Sequence, residues 1–349
     1  MDDYFYSFAE YCKKNFGRRL FKVALDAGMT CPVRDGKIDT RGCIFCDAGG
    51  SGDFAIKYDG SVCFADVLAK TCNDMGDEKD EAKDEAKDEA KDEAKDEAKD
   101  EVKYNNRLFD RYVLSKLSKG AAPGDFIAYF QAYTNTYAPI DKLRRLFGAA
   151  LSDDLFAGIS IATRPDCIDI KVINLLAELK REHPDKFIWV ELGLQTIHEE
   201  IAEYIRRGYP LSAFEQCMKM LNSIDVLVTV HLILGLPGES AQDMYESVLY
   251  LNDKGAGSVK LQLLHVLKGT DLCRDYLAGK FKTLTFDEYT DIVCGCIGRL
   301  DKRIILQRLT GDGAGELLVA PVWSKDKLKV LNEIRHKCKV NGIFQGSLL

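Results

Sequence analysis

The chain predicts an α/β fold, a parallel sheet covered by helices, built either as a curved partial barrel or as an open doubly wound sheet. Three observations carry this. Apolar strand-like runs recur along the chain, with helix-like stretches between most of them. The runs are continuously apolar, as strands buried on both faces are. Helix starts announce themselves by a hydroxyl residue followed three places later by Glu or Asp, at Thr196…Glu199, Ser212…Glu215, Ser240…Asp243 and Thr285…Glu288.

In order, an N-terminal segment of residues 1–19 precedes the first strand, 20–26. Two runs with helical apolar spacing, 62–71 and 107–119, flank a low-complexity insertion at 78–103. The insertion repeats Asp-Glu-Ala-Lys from Asp80, with Val102 replacing the last Ala. Its Ala, Glu and Lys favour helix but leave no apolar stripe, so an exposed helix is expected. Strands follow at 126–130, 157–162, 187–192, 225–234 and 258–263, making six. A seventh strand-like run, 303–307, leads into Arg308-Leu-Thr-Gly-Asp-Gly313.

With 349 residues and 46% hydrophobic content, the chain can bury a sizeable core. The formal net charge of −7 is misleading, because residues 78–103 alone hold 13 acidic and 7 basic side chains and leave the remainder near neutral. A neutral body neither demands nor forbids a polyanionic partner, for which a local basic patch is enough. Lys13-Lys14, Arg18-Arg19, Arg144-Arg145 and Arg206-Arg207 are the candidates, although paired basic residues are usually solvated surface. No apolar run reaches 18 residues and the first residues are acidic, so neither membrane spanning nor export is expected, and the protein reads as cytoplasmic.

Twelve cysteines in a reducing compartment are unsuited to a disulfide framework. Three of them, Cys31, Cys43 and Cys46, follow the first strand with lopsided spacing, eleven residues and then two. A closed zinc site needs four ligands, so a zinc reading requires Cys63 or a histidine to complete it. Three thiolates on an iron–sulfur cube instead leave one iron open to a substrate or cofactor. The remaining cysteines, Cys63, Cys72, Cys273, Cys294 and Cys296 among them, are scattered, and no second cluster is expected.

Polar residues gather where the strands end, which in either architecture is the reactive rim. The series runs through Gln131 to Tyr137, Thr163-Arg164-Pro-Asp166, Glu191 to Gln195, Gly235 to Glu239 and His265 to Gly269. His231 alternates with apolar neighbours and reads as a satisfied interior histidine.

On Leu25 to Gly36, Gly42-Cys-Ile-Phe-Cys46, Tyr129 to Pro139, Thr163 to Cys167, Glu191 to Thr196, His231 to Glu239 and Leu264 to Thr270, the chain resembles the radical S-adenosylmethionine (SAM) superfamily. Within it, the chain resembles the Elongator-catalytic-subunit-like branch, which has the eleven-residue gap, and a bacterial YhcC/YtqA-like family there. The resemblance implies a partial (β/α)6 TIM-like barrel over residues 20–272, with a small C-terminal α/β extension over 273–349. It implies a 4Fe-4S cluster on Cys31, Cys43 and Cys46 whose open iron chelates SAM. Reductive cleavage then gives methionine and a 5′-deoxyadenosyl radical that abstracts hydrogen from substrate. By the same analogy Phe45 is the aromatic residue before the last cysteine, Gln131 meets the methionine amino group, and Glu191 and Gln195 reach the ribose or carboxylate. Gly235 lets the backbone approach the adenine, and Leu264 lies along its edge.

Two departures stand out: His231 replaces the first glycine of the strand-five motif, and Glu239 falls one place late. No acetyltransferase domain is expected before the chain ends at Leu349. Kinship with the branch suggests tRNA, at a wobble uridine, as substrate, with Tyr133, Tyr137 and the arginine pairs supplying stacking and phosphate contacts. Arg164, His265 and Lys268 are candidate substrate contacts, and an electron donor of flavodoxin or ferredoxin type is implied. No catalytic residue is assigned. The rival reading is a non-enzymatic iron–sulfur or zinc protein that senses redox state or scaffolds a complex.

Overall fold

The computed structural model describes residues 4–50, 55–66, 68, 112–311 and 315–349. The repeat at 78–103, Cys72 and parts of both flanking runs lie outside them. Strands β1 (Phe21–Asp26), β2 (Ile56–Lys57), β3 (Phe126–Phe130), β4 (Phe156–Thr163), β5 (Phe187–Gln195), β6 (Leu227–Leu234), β7 (Ser258–Leu263) and β9 (Ile305–Arg308) form one eight-stranded sheet. Its order is β2-β1-β3-β4-β5-β6-β7-β9, and every pairing is parallel. A separate antiparallel ribbon joins β8 (Val266–Leu267) to β10 (Leu318–Ala320).

The sheet is rolled. If it were flat, β1 and β9 would lie roughly 29 Å apart, at about 4.8 Å per strand. Instead Lys22 Nζ on β1 donates to Gln307 Oε1 on β9 at 2.8 Å and reaches Glu191 Oε1 on β5 at 2.5 Å. These side chains therefore fill the inside of a partial barrel. Among the described residues no strand pairing joins β2 to β9, so the seam between them stays open.

The crossover helices are α2 (Ile140–Ser152), α3 (Ile170–Glu182), α4 (Glu199–Tyr204), α5 (Leu211–Ser223), α6 (Ala241–Asn252), α7 (Asp271–Leu277) and α8 (Phe286–Arg299). Their apolar residues recur at helical spacing; α2, for instance, buries Leu143, Leu146, Phe147, Ala150 and Leu151. The helices cover the outer face and the strands' own side chains fill the inner one, which is why β3 buries all five of its residues. Of the four expected capping boxes, those at Ser240 and Thr285 are present. The other two are not: α4 and α5 begin after His198 and Pro210 without a side-chain cap. Glu199 is occupied by Arg207 and the Leu211 amide, and Glu215 by Tyr250 and Lys254, so neither carboxylate turns back to its helix.

Residues expected to be a plain N-terminal segment form α1 (Phe8–Phe16), capped by Ser7 and ended by Gly17 in the left-handed region. Phe8 and Tyr11 pack on Trp189 with ring centroids 5.6 and 5.9 Å apart, closing the N-terminal end of the barrel. At the opposite end, Asn135 Nδ2 donates to the carbonyls of Phe130, Ala132 and Ala162 at 3.0–3.1 Å, tying the ends of β3 and β4 together. Asn135→Ala would remove all three side-chain bonds, leaving Ala162 O with the backbone N–H of residue 135 at 3.0 Å, and urea denaturation is expected to show a loss of about 1–3 kcal/mol. The chain beyond residue 272 contributes β9 to the main sheet, while α9 (Lys327–Val340) packs against α8.

Candidate active site

The loop after β1 folds back on itself through backbone bonds. Arg34 N–H donates to Cys31 O at 2.8 Å, Gly42 N–H to Val33 O at 2.7 Å, and Cys46 N–H to Cys43 O at 3.1 Å. These turns bring the first cysteine beside the other two despite the eleven-residue gap. The loop is fixed to the barrel rim where Ile44 N–H donates to Ile205 O at 3.2 Å and Ile44 O accepts from Leu272 N–H at 2.9 Å. Tyr133 lies across it: its hydroxyl donates to Ala48 O, and a Cβ on Gly50 would sit 2.5 Å from its ring. Gly50 is also left-handed at φ +59°, so Gly50→Ala cannot be accommodated without moving Tyr133 off the loop. After anaerobic reconstitution that variant is expected to hold less than about half the parent's iron, read by colorimetric iron assay.

Cys31, Cys43 and Cys46 line one wall of a cavity of about 390 Å³ at the C-terminal ends of the strands. That volume lies in the range of small-molecule sites. Burial, followed by the neighbouring Cys46, pushes the Cys43 thiol up to about 12, so free thiolates disfavour one another here. Such a set becomes stable as anions only around positive charge.

The floor is built from charged residues inside the barrel. Glu191 is 1% exposed. Its Oε1 accepts from Lys22 Nζ (2.5 Å) and Ser160 Oγ (2.7 Å), and its Oε2 from Tyr129 Oη (2.9 Å), His231 Nε2 (2.8 Å) and Lys260 Nζ. Burial alone would raise this carboxyl, but Lys22, Lys260 and His231 hold it well below the usual carboxylate range. His231 is pushed down to about 4, first by burial and then by Lys260. With Nε2–H given to Glu191, its Nδ1 accepts from Gln262 Nε2 at 3.2 Å.

Of the residues singled out in the sequence, Phe45, Gln131, Arg164, Glu191, Gln195, Leu264 and His265 line the cavity with the cysteines. Gly235 and Lys268 are not among its lining. Gly235 packs instead on Leu284, whose Cδ1 would lie 2.9 Å from a Cβ there. Lys268 is exposed, its backbone N–H donating to Leu317 O at 2.8 Å beside the β8–β10 ribbon. Glu191 has five donors on roughly four lone-pair sites, so it offers nothing further to a ribose or carboxylate. Arg164 is closed too: it forks onto Asp166 at 2.8 and 2.9 Å and donates to Arg207 O at 2.7 Å. Gln195 bends back in a left-handed conformation, φ 65°, over Gly193, where a Cβ would meet its side-chain amide at 2.4 Å.

Of the paired arginines, Arg206, Arg207 and Arg144 are engaged within the fold and Arg18 pairs with Asp125 at 3.0 Å, while Arg19 and Arg145 are exposed. Arg207 is 1% exposed, Arg206 pairs with Asp271 at 2.6 Å, and Arg144 pairs with Glu178 and Glu182. Lys13 and Lys14 lie on α1, at the barrel end remote from the cavity. Sequence reasoning missed Arg34, Tyr129 and Lys260 as lining residues. The available signal for Lys260 was a lone cation in an apolar strand, opposite in sign to the one in β5.

The donor set suits a cluster better than a single ion. Two sulfurs on one zinc lie ~3.8 Å apart at a Zn–S distance of about 2.3 Å. Among the described residues the ligand trio whose donor atoms all fall within 4.8 Å is His198, Asp243 and Glu246, and the three thiols do not form such a group. No cysteine besides these three lines the cavity among the described residues, and Cys63 is exposed elsewhere.

A parallel partial barrel carrying three thiols on the loop after its first strand, above a polar cavity, defines the core of a radical SAM enzyme. The chain belongs to the radical SAM superfamily: the model of that superfamily matches residues 40–251, and the model of the radical SAM C-terminal domain matches residues 257–339. It is 36% identical over 336 residues to the protein YtqA of Bacillus subtilis, covering 96% of this chain and 90% of that one. It is also 27% identical over 164 residues to the tRNA uridine(34) acetyltransferase of Methanocaldococcus jannaschii, covering 46% of this chain and 29% of that protein. The structure of Elp3 from Methanocaldococcus infernus superposes with a TM-score of 0.59 at 19% identity, covering 69% of this chain and 61% of that one, which shows the shared fold. These relatives place the chain in the Elongator-like branch. Membership implies a 4Fe-4S cluster and SAM. No described helix is long and apolar enough to cross a membrane.

Proposed function

We propose that this enzyme uses SAM to modify tRNA at a wobble uridine. The observation that carries the substrate is the similarity to the tRNA uridine(34) acetyltransferase across 164 residues. In this reading Cys31, Cys43 and Cys46 hold the cluster, and the cavity they share with Gln131, Gln195 and Leu264 takes SAM. When bound, the pair supplies one-electron cleavage of the sulfonium and hydrogen-atom abstraction from substrate.

The chain's own part is to hold, orient and keep dry. Phe45 belongs to an apolar cluster with Ile44, Ile205, Ile233 and Leu264, which screens one side of the thiols from water. Gln131 and Gln195 offer amide donors and acceptors at the rim, where a zwitterionic amino acid needs them. The saturated Glu191 network forms the polar floor of the cavity. A base must leave its stack to enter such a cavity, and the Tyr137 ring, with Lys37 Nζ 5.1 Å from its centroid, would receive an unstacked nucleotide.

The test has two arms. With dithionite and SAM under anaerobic conditions, the reconstituted protein is expected to release 5′-deoxyadenosine, and transcribed tRNA is expected to raise that rate. Nucleoside profiling of tRNA from cells with and without the gene should reveal a missing wobble-uridine product. An unchanged profile together with no stimulation by tRNA at low salt would remove tRNA as substrate and leave a small molecule in its place.

A further inference from the structure

We infer that Arg34 is the fixed positive charge paired with the three thiol ligands, and that it sets the reduction potential of the cluster they hold. The inference rests on the cluster reading of those thiols given above.

Arg34 lies within the cysteine loop, three residues after Cys31, and its side chain crosses to the other end. Its Nη2 donates to Cys46 O at 2.9 Å and to Asp47 O. The side chain passes directly over Gly42, where a Cβ would lie 2.9 Å from Nε, 3.2 Å from Cγ and 3.3 Å from Cζ. Gly42 is left-handed at φ +73°, so the residue before Cys43 is glycine for its turn and for the passage of this side chain. The Tyr133 ring covers the guanidinium from the other side at 5.7 Å. The cation is thus held in one place by the loop itself, by Gly42 and by Tyr133.

Arg164 is paired with Asp166, Arg207 with Glu199 and Lys260 with Glu191, but among the described residues Arg34 makes no ion pair with a carboxylate. It lines the same cavity as the three sulfurs. A guanidinium does not deprotonate in a protein, so this charge is constant over the working pH range. Cluster potentials follow net charge and hydrogen bonding around the sulfurs. One electron, from dithionite or a flavodoxin- or ferredoxin-class donor, makes the cluster more negative by one charge. A nearby fixed cation favours that more negative state and so eases its reduction.

The experiment is a mediator-poised redox titration of the reconstituted full-length protein, followed by electron paramagnetic resonance of the reduced cluster. Arg34→Gln keeps a hydrogen-bond donor and loses the charge. Its reduction equilibrium is expected to become at least ten-fold less favourable, about 59 mV for one electron. Arg34→Lys keeps the charge and should stay within about three-fold of the parent. An Arg34→Gln protein with a full cluster and an unmoved potential would overturn the inference while leaving the proposed function standing. If Arg34→Gln holds too little cluster to titrate, Arg34→Lys decides: a ten-fold shift there overturns the inference, and a parent-like potential upholds it. A parent protein that loads no cluster at all would remove this inference and the enzyme reading together.

Discussion

Cys46→Ala is expected to lower anaerobic 5′-deoxyadenosine formation by at least ~100-fold and to remove most of the reconstituted iron, since even an outer partner of a metal ligand is worth ~10–100-fold. The reason is geometric. No further cysteine among the described residues lines the cavity, so none is placed to take over the lost bond. Cys46 also sits at the end of the loop that Arg34 and Tyr133 clamp, where Arg34 Nη2 holds its carbonyl at 2.9 Å. Two controls sharpen the test. Cys63 is exposed away from the cavity, so Cys63→Ala should keep its iron, whereas a zinc loop completed by Cys63 would lose its metal. Cys167 lies near enough to feel the charge of Cys31 but does not line the cavity, and Cys167→Ala should likewise load normally. Iron and sulfide analysis with visible absorbance reads all three variants. Full iron content in Cys46→Ala would end the three-thiol assignment.

The second large effect falls on stability. Glu191→Ala would leave Lys22 and Lys260 facing each other inside the barrel with their shared carboxylate gone. Breaking a buried ion pair by removing one partner costs about 3–5 kcal/mol. In a chain of this size that is a fall on the order of 10 °C in Tm, measurable by circular dichroism. Glu191→Gln, which keeps the shape and one acceptor, should lose less.

The same group predicts a pH dependence. Burial would raise its carboxyl, but Lys22, Lys260 and His231 hold it well below the usual range. A carboxyl whose folded value is depressed stabilises the fold fully above its unfolded value, about 4.3, and loses that contribution as pH falls through the folded value. The gap in stability between the parent and Glu191→Ala should therefore be widest near neutrality and close as the solution is acidified below about pH 4. A gap that stays constant from pH 7 to pH 3 would show that Glu191 does not carry its charge between the lysines.

Glu191 also marks how far the sequence could be read. Glu191 was legible as a polar residue near the end of a strand-like run, where the resemblance made it a contact to a ribose or carboxylate. Its partners come from β1, β3, β4, β6 and β7, and which of them face one another depends on strand register and on how tightly the sheet rolls. That is why a residue read as a cofactor contact proves to be saturated by lysines, tyrosine, serine and histidine. Arg34 was hidden for the opposite reason: within one loop, no period links it to Gly42, Cys46 and Tyr133, and only the folded turns bring them together.

By itself the sequence determined the class of fold, six of the parallel strands within a few residues of their ends, and the three thiols that line the cavity. Each of those depends on information local to a few residues: apolar runs, turn residues, ligand type and spacing. Tertiary structure alone decided that the sheet rolls far enough for Lys22 to touch Gln307, that α1 closes the lower end, and that Gly235 and Lys268 stand apart from the cavity. It also decided that the Arg34 side chain crosses the cysteine loop to the Cys46 carbonyl, while Arg206 and Arg207 pair with Asp271 and Glu199. These are facts about distance between residues far apart in the chain, and they are set by packing and strand register, which no short stretch of sequence contains.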